Sequence, residues 1–362
     1  MEHMQGPVLV AIKLFIIFFI SIFIPATAYT FFRFRLKKKE AEFGRVLSMI
    51  GLEEEQKKKL LPSIKAEYTP MDYVLPVLFC FFTVLLTMTL LMFGGLLVKM
   101  GSGITNNLLL SGGDFVEGGS QAFAKERLSI TVITVALMGA FIWSSQNIVR
   151  RLVTADLSPS TYYNSGIRMI MAALIALMVS FIIPMEETRN YVVVVAFLIG
   201  LFPERGLRYL MEKVKILNLR SEEQSHPLPL EMIEGISLFH KVRFAEVGVD
   251  NAQNLAETNL ILLMIRTPFN ARKLLDWIGQ AKLAVFMKED LFKLTHEGVR
   301  TVFDLLVIGK EEGSLQELSQ TADVSLLKLK NVYARASKDE GLLKLLDIQS
   351  KLSVMDEFNP GL

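Results

Sequence analysis

Long stretches without a formal charge constrain this chain more than any other feature. Leu14 to Phe32 is nineteen consecutive uncharged residues. As a helix rising ~1.5 Å per residue, such a stretch covers roughly the ~30 Å hydrocarbon layer of a bilayer. Tyr73–Val98, Leu128–Val149 and Ile167–Pro184 are further apolar segments of spanning character, whereas Tyr191–Phe202 is only twelve residues, about 18 Å of helix. The predicted fold class is therefore all-α. A transmembrane region over 1–203 carries four or five helices near 8–32, 73–98, 128–149, 167–184 and 191–203, with a helical connector at 33–72. A small soluble all-helical domain follows over 204–362.

Charge order decides what the first segment is. Ala26-Thr27-Ala28 has the small residues of a signal-peptide cleavage site, but the basic cluster Arg33 to Lys39 follows the apolar run instead of preceding it. The expectation is an uncleaved helix with its N-terminus outside and the cluster held in the cytoplasm. With five crossings the inner segments hold ten Lys or Arg between Arg33 and Asp72, then Arg150, Arg151, Arg168 and the cluster from Arg205 to Arg220. The outer segments hold only Lys99, Lys125, Arg127 and Arg189. The bias predicts a multi-pass protein of a bacterial inner membrane with its C-terminal domain cytoplasmic, while four crossings would put that domain outside.

Within the connector, Phe43, Val46, Leu47 and Ile50 fall on one helical face. Glu53, Glu54 and Glu55 each precede a lysine by four residues, which reads as a solvated helix face. In the membrane region, Ala136, Ala140 and Ser144 recur every fourth residue, as do Ala172, Ala176 and Ser180. Small residues at that spacing let two backbones approach, so the third and fourth spanning helices are expected to pack together, or to form an oligomer interface. The polar cluster Trp143 to Asn147 beside Arg150 and Arg151 is expected at headgroup level. Lys99 to Arg127 reads as a glycine-rich external loop.

No catalytic signature emerges. There is no Walker loop, serine elbow or dinucleotide fingerprint, and the four histidines are scattered. His296-Glu297 reads as a turn, and Glu186-Glu187 as the tip of a membrane hairpin. The single cysteine, Cys80, lies inside an apolar run, so an intrachain disulfide is impossible. These readings predict a protein that is not an enzyme and uses no cofactor and no metal.

One motif stands out after residue 204. Gly235-Ile236-Ser237 separates a short apolar helix end (Met232, Ile233) from a helix containing Phe239, Val242 and Phe244. Gly248-Val249 then leads into a helix starting near Asn251. A second copy follows, with His296-Glu297-Gly298-Val299 matching Glu246-Val247-Gly248-Val249. Between them Thr267 is expected to cap a helix that begins with Pro268, and two further helices, one capped by Ser314, complete the chain. From Pro229 to about Leu306 the pattern resembles the tandem helix-hairpin-helix (SAM-like) domains of bacterial membrane proteins.

That resemblance implies binding of a DNA backbone by the turn's amides. Ser237 in place of a second turn glycine, the flanking Glu231 and Glu234, and a domain charge near −2, against only Lys241 and Arg243 beside the turn, disfavour a nucleic-acid partner. The expected interaction residues are Gly235, Ile236, Ser237, Lys241, Arg243, Gly248 and Gly298. The expected partners are the lipid bilayer and a protein, or a second copy of the chain. The preferred functional expectation is a membrane-anchored scaffold or sensor. An oligomeric channel-like or membrane-disrupting effector, and a membrane tether for DNA, are the alternatives.

Overall fold

The computed structural model of the chain describes residues 2–51, 54–101, 120–182, 189–203, 228–311 and 313–358. Among them the chain is helical throughout, with no β-sheet and one isolated bridge between Pro229 and Asn251. Four helical stretches, Pro7–Met49, Glu54–Gly94, Glu126–Val153 and Pro159–Phe181, are long and apolar enough to cross a membrane, and Tyr191–Leu201 is apolar but shorter. Of the loop expected over Lys99–Arg127, both ends are helical, α5 running to Gly101 and the next helix starting at Ser120; residues 102–119, Glu186-Glu187 and the basic cluster from Arg205 to Arg220 lie outside the described residues.

Two units divide the chain, one of residues 1–38 and 68–220, the other of residues 39–67 and 221–362. The first contains α1 (Glu2–Ser21), α2 (Phe23–Thr30), a π-helical segment (Phe31–Arg35) and the start of α3 (Leu36–Met49). Later in the chain it contains α5 (Pro70–Gly101), α6 (Ser120–Val153), α7 (Pro159–Ile182) and α8 (Arg189–Leu201). These helices overrun the apolar segments at most ends, because a charge-free window measures only the part that suits hydrocarbon, and helical hydrogen bonding continues past it.

Within this unit α6 packs most extensively on α7 and α8, around Leu128, Val132, Ala136, Ile175, Ala176, Val179, Val192, Ala196 and Ile199. All six residues of the two small-residue stripes are buried: Ala136, Ala140 and Ser144 on α6, Ala172, Ala176 and Ser180 on α7. The tightest approach, however, is to α8. A Cβ built on Gly200 would lie 2.2 Å from the Ala136 carbonyl oxygen and 2.9 Å from the Ala140 nitrogen; one on Gly139 would lie 2.4 Å from the Phe197 carbonyl oxygen. Part of the Ala136–Ala140 stripe is thus the bed for α8.

Arg168 of α7 locks the same three helices. Its guanidinium lies 3.6 Å from the Trp143 ring centroid on α6 and donates to the Leu201 carbonyl, 2.8 Å away, at the end of α8. There it meets both a ring face and the negative end of a helix. The threonines inside these helices bond back to their own turns, Thr83 to the Phe79 carbonyl, Thr87 to Thr83 and Thr134 to Ile130. Their hydroxyls are satisfied without water, as an apolar surrounding requires.

An aromatic junction gathers the chain segments that lead into and out of residues 39–67. Phe31 of the π segment stacks at 6.1 Å on Tyr73 of α5 and lies 5.6 Å from Tyr68; Tyr73 meets Phe32 at 4.7 Å and Tyr162 of α7 at 6.3 Å. Tyr73 donates to the Leu157 carbonyl in the turn between α6 and α7, and the Thr27 and Tyr162 hydroxyls are 3.0 Å apart. That turn places Ala155 at φ 54°, a left-handed conformation.

The second unit corrects the placement of the connector. Residues 39–67, carrying most of α3 and α4 (Glu54–Glu67), group with the C-terminal helices instead of the membrane helices. The physical reason is the apolar face read from the sequence: Phe43, Leu47 and Ile50, joined by Ile64, are all buried. Polar contacts fasten both ends. Arg266 forms an ion pair with Glu67, donating one hydrogen bond to its carboxylate at 3.2 Å, and Lys351 donates to the Ile50 carbonyl at 3.3 Å. On the solvated face, Glu55 pairs with Lys59 as its spacing predicts, while Glu54 selects Lys57 instead of Lys58; Glu53 lies outside the described residues.

The helices after residue 228 are α9 (Leu238–Ala245), α10 (Ala252–Glu257), α11 (Leu260–Arg266), α12 (Ala271–Met287), α13 (Leu291–His296), α14 (Val302–Ile308), α15 (Ser314–Thr321), α16 (Leu326–Ala336) and α17 (Glu340–Phe358). Two sequence expectations are corrected. Thr267 does not start α12: it ends α11, its hydroxyl bonding back to the Leu263 carbonyl at 2.7 Å, and Asn270 caps α12 by accepting from the Lys273 amide. Ser314 is the first residue of α15, with Gly313 as cap, and three helices follow α14 where two were expected.

The Gly139–Gly200 contact yields a test. Gly200→Ala drives a methyl into backbone, which cannot yield as a side chain can, and should destabilise the unit by roughly 1–3 kcal/mol. A lower midpoint for thermal unfolding of the purified chain in detergent is the expected result, with Gly94→Ala, whose nearest neighbour would be 3.9 Å away, as the near-neutral control.

Candidate interaction hairpins

Three copies of one turn organise the second unit, and two of them carry the glycines singled out in the sequence. In the first, Gly248 sits at φ 80° and the Val249 amide donates to the Phe244 carbonyl at 2.9 Å. Asn251 then caps α10 by accepting from the Asn254 amide. In the second, Gly298 sits at φ 84°, the Val299 amide donates to the Leu294 carbonyl at 3.0 Å, and Thr301 caps α14. A left-handed residue, a six-to-one hydrogen bond and a buried valine define a Schellman-type ending that passes directly into the next helix. The third copy carries no glycine: Asp323 takes φ 50°, and the Val324 amide donates to the Ser319 carbonyl at 3.2 Å. Lys293 holds this turn by donating to the Asp323 carbonyl and carboxylate.

The hairpin at Gly235 differs in kind. Gly235 takes φ 83°, and the Ile236 amide donates to the Ile233 carbonyl. Its neighbours are bound by side chains from within the unit. Gln280 of α12 accepts from the Glu234 amide at 2.8 Å, and Trp277, one turn earlier, donates its indole N–H to the Glu234 carbonyl at 3.1 Å. His240 occupies the capping-box position of α9 and accepts from the Ser237 amide through Nδ1 at 2.9 Å, where glutamate is the usual residue. Phe239, His240, Phe244, Phe269 and Trp277 form one aromatic cluster beneath the turn.

Electrostatically the hairpin is closed as well. Lys241 is bound to Glu231, whose carboxyl it holds below the usual range. Arg243 is buried, paired with Glu246, and donates to the carbonyl of Arg266 at the end of α11. Glu234 pairs with Arg300. A phosphate approaching Gly235–Ser237 would find the amides of Glu234, Ile236 and Ser237 already engaged and both nearby cations already neutralised.

Exposed apolar side chains stand beside these turns. Leu238 is 75% exposed and Val242 51% exposed on α9, while Phe292 is 64% exposed on α13. Val242 and Phe292 each lie two residues before the acceptor of the six-to-one bond, so they occupy equivalent positions in the two repeats. His240, Trp277, Gln280 and Asp323 were not among the residues expected from the sequence. The S-x-x-H spacing of a capping box was the available signal for His240; Asp323 was hidden because a left-handed turn is looked for at glycine. Among the described residues no group of three or more His, Cys, Asp or Glu converges to hold a metal.

Comparisons of the chain with protein-family models, with characterised proteins and with solved structures gave no match. What the protein is rests on its own geometry: the described residues are all-helical, with four helical stretches among them fit to cross a membrane.

Two tests follow from the turns. A Cβ at Gly248 or Gly298 would meet nothing within 4 Å, so alanine there costs only the backbone preference, about 1–2 kcal/mol each. Asp323→Gly should act in the opposite direction, gaining up to ~1 kcal/mol from the relieved conformation less a few tenths for the exposed Lys293 pair. Chemical denaturation of the three variants checks the signs. His240 titrates below its ordinary value because burial and then the Lys273 charge disfavour the imidazolium, a hydrogen bond with the Gly235 backbone pulling the other way. The unfolded chain therefore takes up this proton first as pH falls. Stability contributed by neutral His240 is present above about pH 6.5, the unfolded value, and declines as pH drops through and below it. Thermal unfolding from pH 7.5 to 5 should show that decline, and His240→Asn, which keeps an acceptor without a titrating ring, should flatten it.

Proposed function

We propose that the chain is a membrane-anchored scaffold or sensor of a bacterial inner membrane, whose helical unit of residues 39–67 and 221–362 associates with a protein partner, foremost a second copy of itself. The observation that carries this reading is the repeated exposure of apolar side chains at equivalent positions, Val242 and Phe292, with Leu238 beside the first. Burying such side chains in an interface is worth roughly 1.5–3 kcal/mol each, and clustered exposed apolar groups mark association surfaces. The engaged amides and neutralised cations of the Gly235 hairpin weigh against the DNA tether.

The same unit bears on topology. Its two parts come from before α5 and after α8, yet they share the Glu67–Arg266 and Ile50–Lys351 contacts. These contacts support a reading in which both parts lie on one face of the membrane and the chain between them crosses an even number of times. On that reading α5, α6 and α7 supply three crossings and α8, with thirteen residues, the fourth. With the first helix this makes five, the N-terminus outside and the helical unit cytoplasmic under the positive-inside bias.

Reporters placed after Asp114, Glu187 and Gly361 test the topology: the first two should report outside and the third inside, and an external signal at Gly361 would sink the cytoplasmic reading. For association, light scattering of the full chain in detergent should show a multimer that Leu238→Asp/Val242→Asp reduces to a monomer. An unchanged mass in that variant would remove self-association by this face.

A further inference from the structure

We infer that the groove between α12 and α16 is a phosphate-binding site, a role separate from the apolar surface near α9. Two open hollows of about 590 and 630 Å³ share Asn331 and Arg335, the first lined from both helices and the second by α16 and the residues after it. Lys288, Lys328, Arg335 and Lys338 line them, with Asp339 the only acid in the lining. From Val324 to Lys338 the sequence holds four basic residues and no acidic one, inside a domain whose overall charge is negative. Lys328, Asn331, Arg335 and Lys338 recur at helical spacing and bring their heads to one side. Val285, Phe286, Leu327 and Val332 supply an apolar floor, with Leu327 70% exposed and the Arg335 guanidinium 5.9 Å from the Phe286 ring centroid.

Not all of this charge is free. Lys328 is spent on the unit itself, paired with Asp290 at 2.5 Å and donating to the Met287 carbonyl at the end of α12. Arg335, Lys338 and Lys288 make no ion pair to a carboxylate among the described residues. Lys288 is the informative one. It follows α12 with φ 50° and ψ −116°, the conformation of the first central residue of a type II′ turn, where glycine is the ordinary choice. A lysine held there stores backbone strain, and strain of this kind collects at sites where the side chain has a task. What the lysine contributes at this position, and glycine cannot, is a cation in the lining that it shares with Arg335. A planar guanidinium, two ammonium groups and the Asn331 amide together provide the charged and neutral donors that phosphate oxygens accept.

A phosphate group reaches such a groove either on a lipid headgroup or on a water-soluble ligand, and one experiment on the full chain in detergent separates the two. Calorimetric titration with pyrophosphate reports the soluble source. Native mass spectrometry of the chain in mixed micelles of phosphatidic acid and phosphatidylcholine reports the lipid source, as retained phosphatidic acid above retained phosphatidylcholine. The wild-type chain should bind in at least one arm, Arg335→Gln/Lys338→Gln should weaken that binding by about tenfold or more, and Lys344→Gln, an exposed charge on α17 outside the groove, should leave it unchanged. Lys288→Gly guards against a trivial loss of fold: it should raise the thermal midpoint by relieving the strain while weakening phosphate binding. Absence of binding in both arms, or equal weakening by Lys344→Gln, overturns the inference.

Discussion

The pairing of Arg266 with Glu67 closes a loop through most of the molecule. Two residues 199 positions apart are held by an ion pair, and Lys351 reaches still farther back to Ile50. A half-exposed ion pair of this kind contributes little energy by itself. Its significance is that it ties residues 39–67, where Phe43, Leu47, Ile50 and Ile64 are buried, to the C-terminal helices of the same unit. Arg266 also serves the neighbouring hairpin, because its carbonyl receives the buried Arg243. The connector and the first hairpin are therefore parts of one folded object.

The helical class and the spanning segments were legible because charge-free runs of spanning length have few other uses. The turns at Gly235, Gly248 and Gly298 were legible for a similar reason: glycine before a small apolar residue, between two amphipathic stretches, needs a positive φ, and all three positions have one. What was hidden depends on tertiary context. Thr267-Pro268 has the chemistry of a helix start, yet the hydroxyl turns back to finish α11 and the cap is supplied three residues later by Asn270. Stripes of every fourth residue drew attention to Ala136 and Ala140 but passed over Gly139, whose missing side chain is what admits α8. The fate of residues 39–67 was unreadable because an amphipathic helix announces only that one face will be covered, without naming the cover.

The hairpin and the α12–α16 groove show opposite uses of the same ingredients. At Gly235 the amides and cations are consumed internally by Gln280, His240, Glu231 and Glu246, so the turn is a structural hinge between α9 and α12 with its aromatic cluster below. In the groove, Lys288, Arg335 and Lys338 make no ion pair to a carboxylate among the described residues, and Lys288 holds φ 50°. The partners of the basic residues, more than their number, decide what is available to a ligand.

The separation of residues 39–67 from the rest of their unit has a consequence for how the protein is made. Glu67 leaves the ribosome 199 residues before its partner Arg266, which at ~5–20 residues per second is roughly 10–40 s of synthesis. Throughout that interval residues 39–67 lack the C-terminal helices with which they share a unit, while the intervening apolar helices are being made. The unit thus closes late, its first part waiting on the completion of the C-terminal helices.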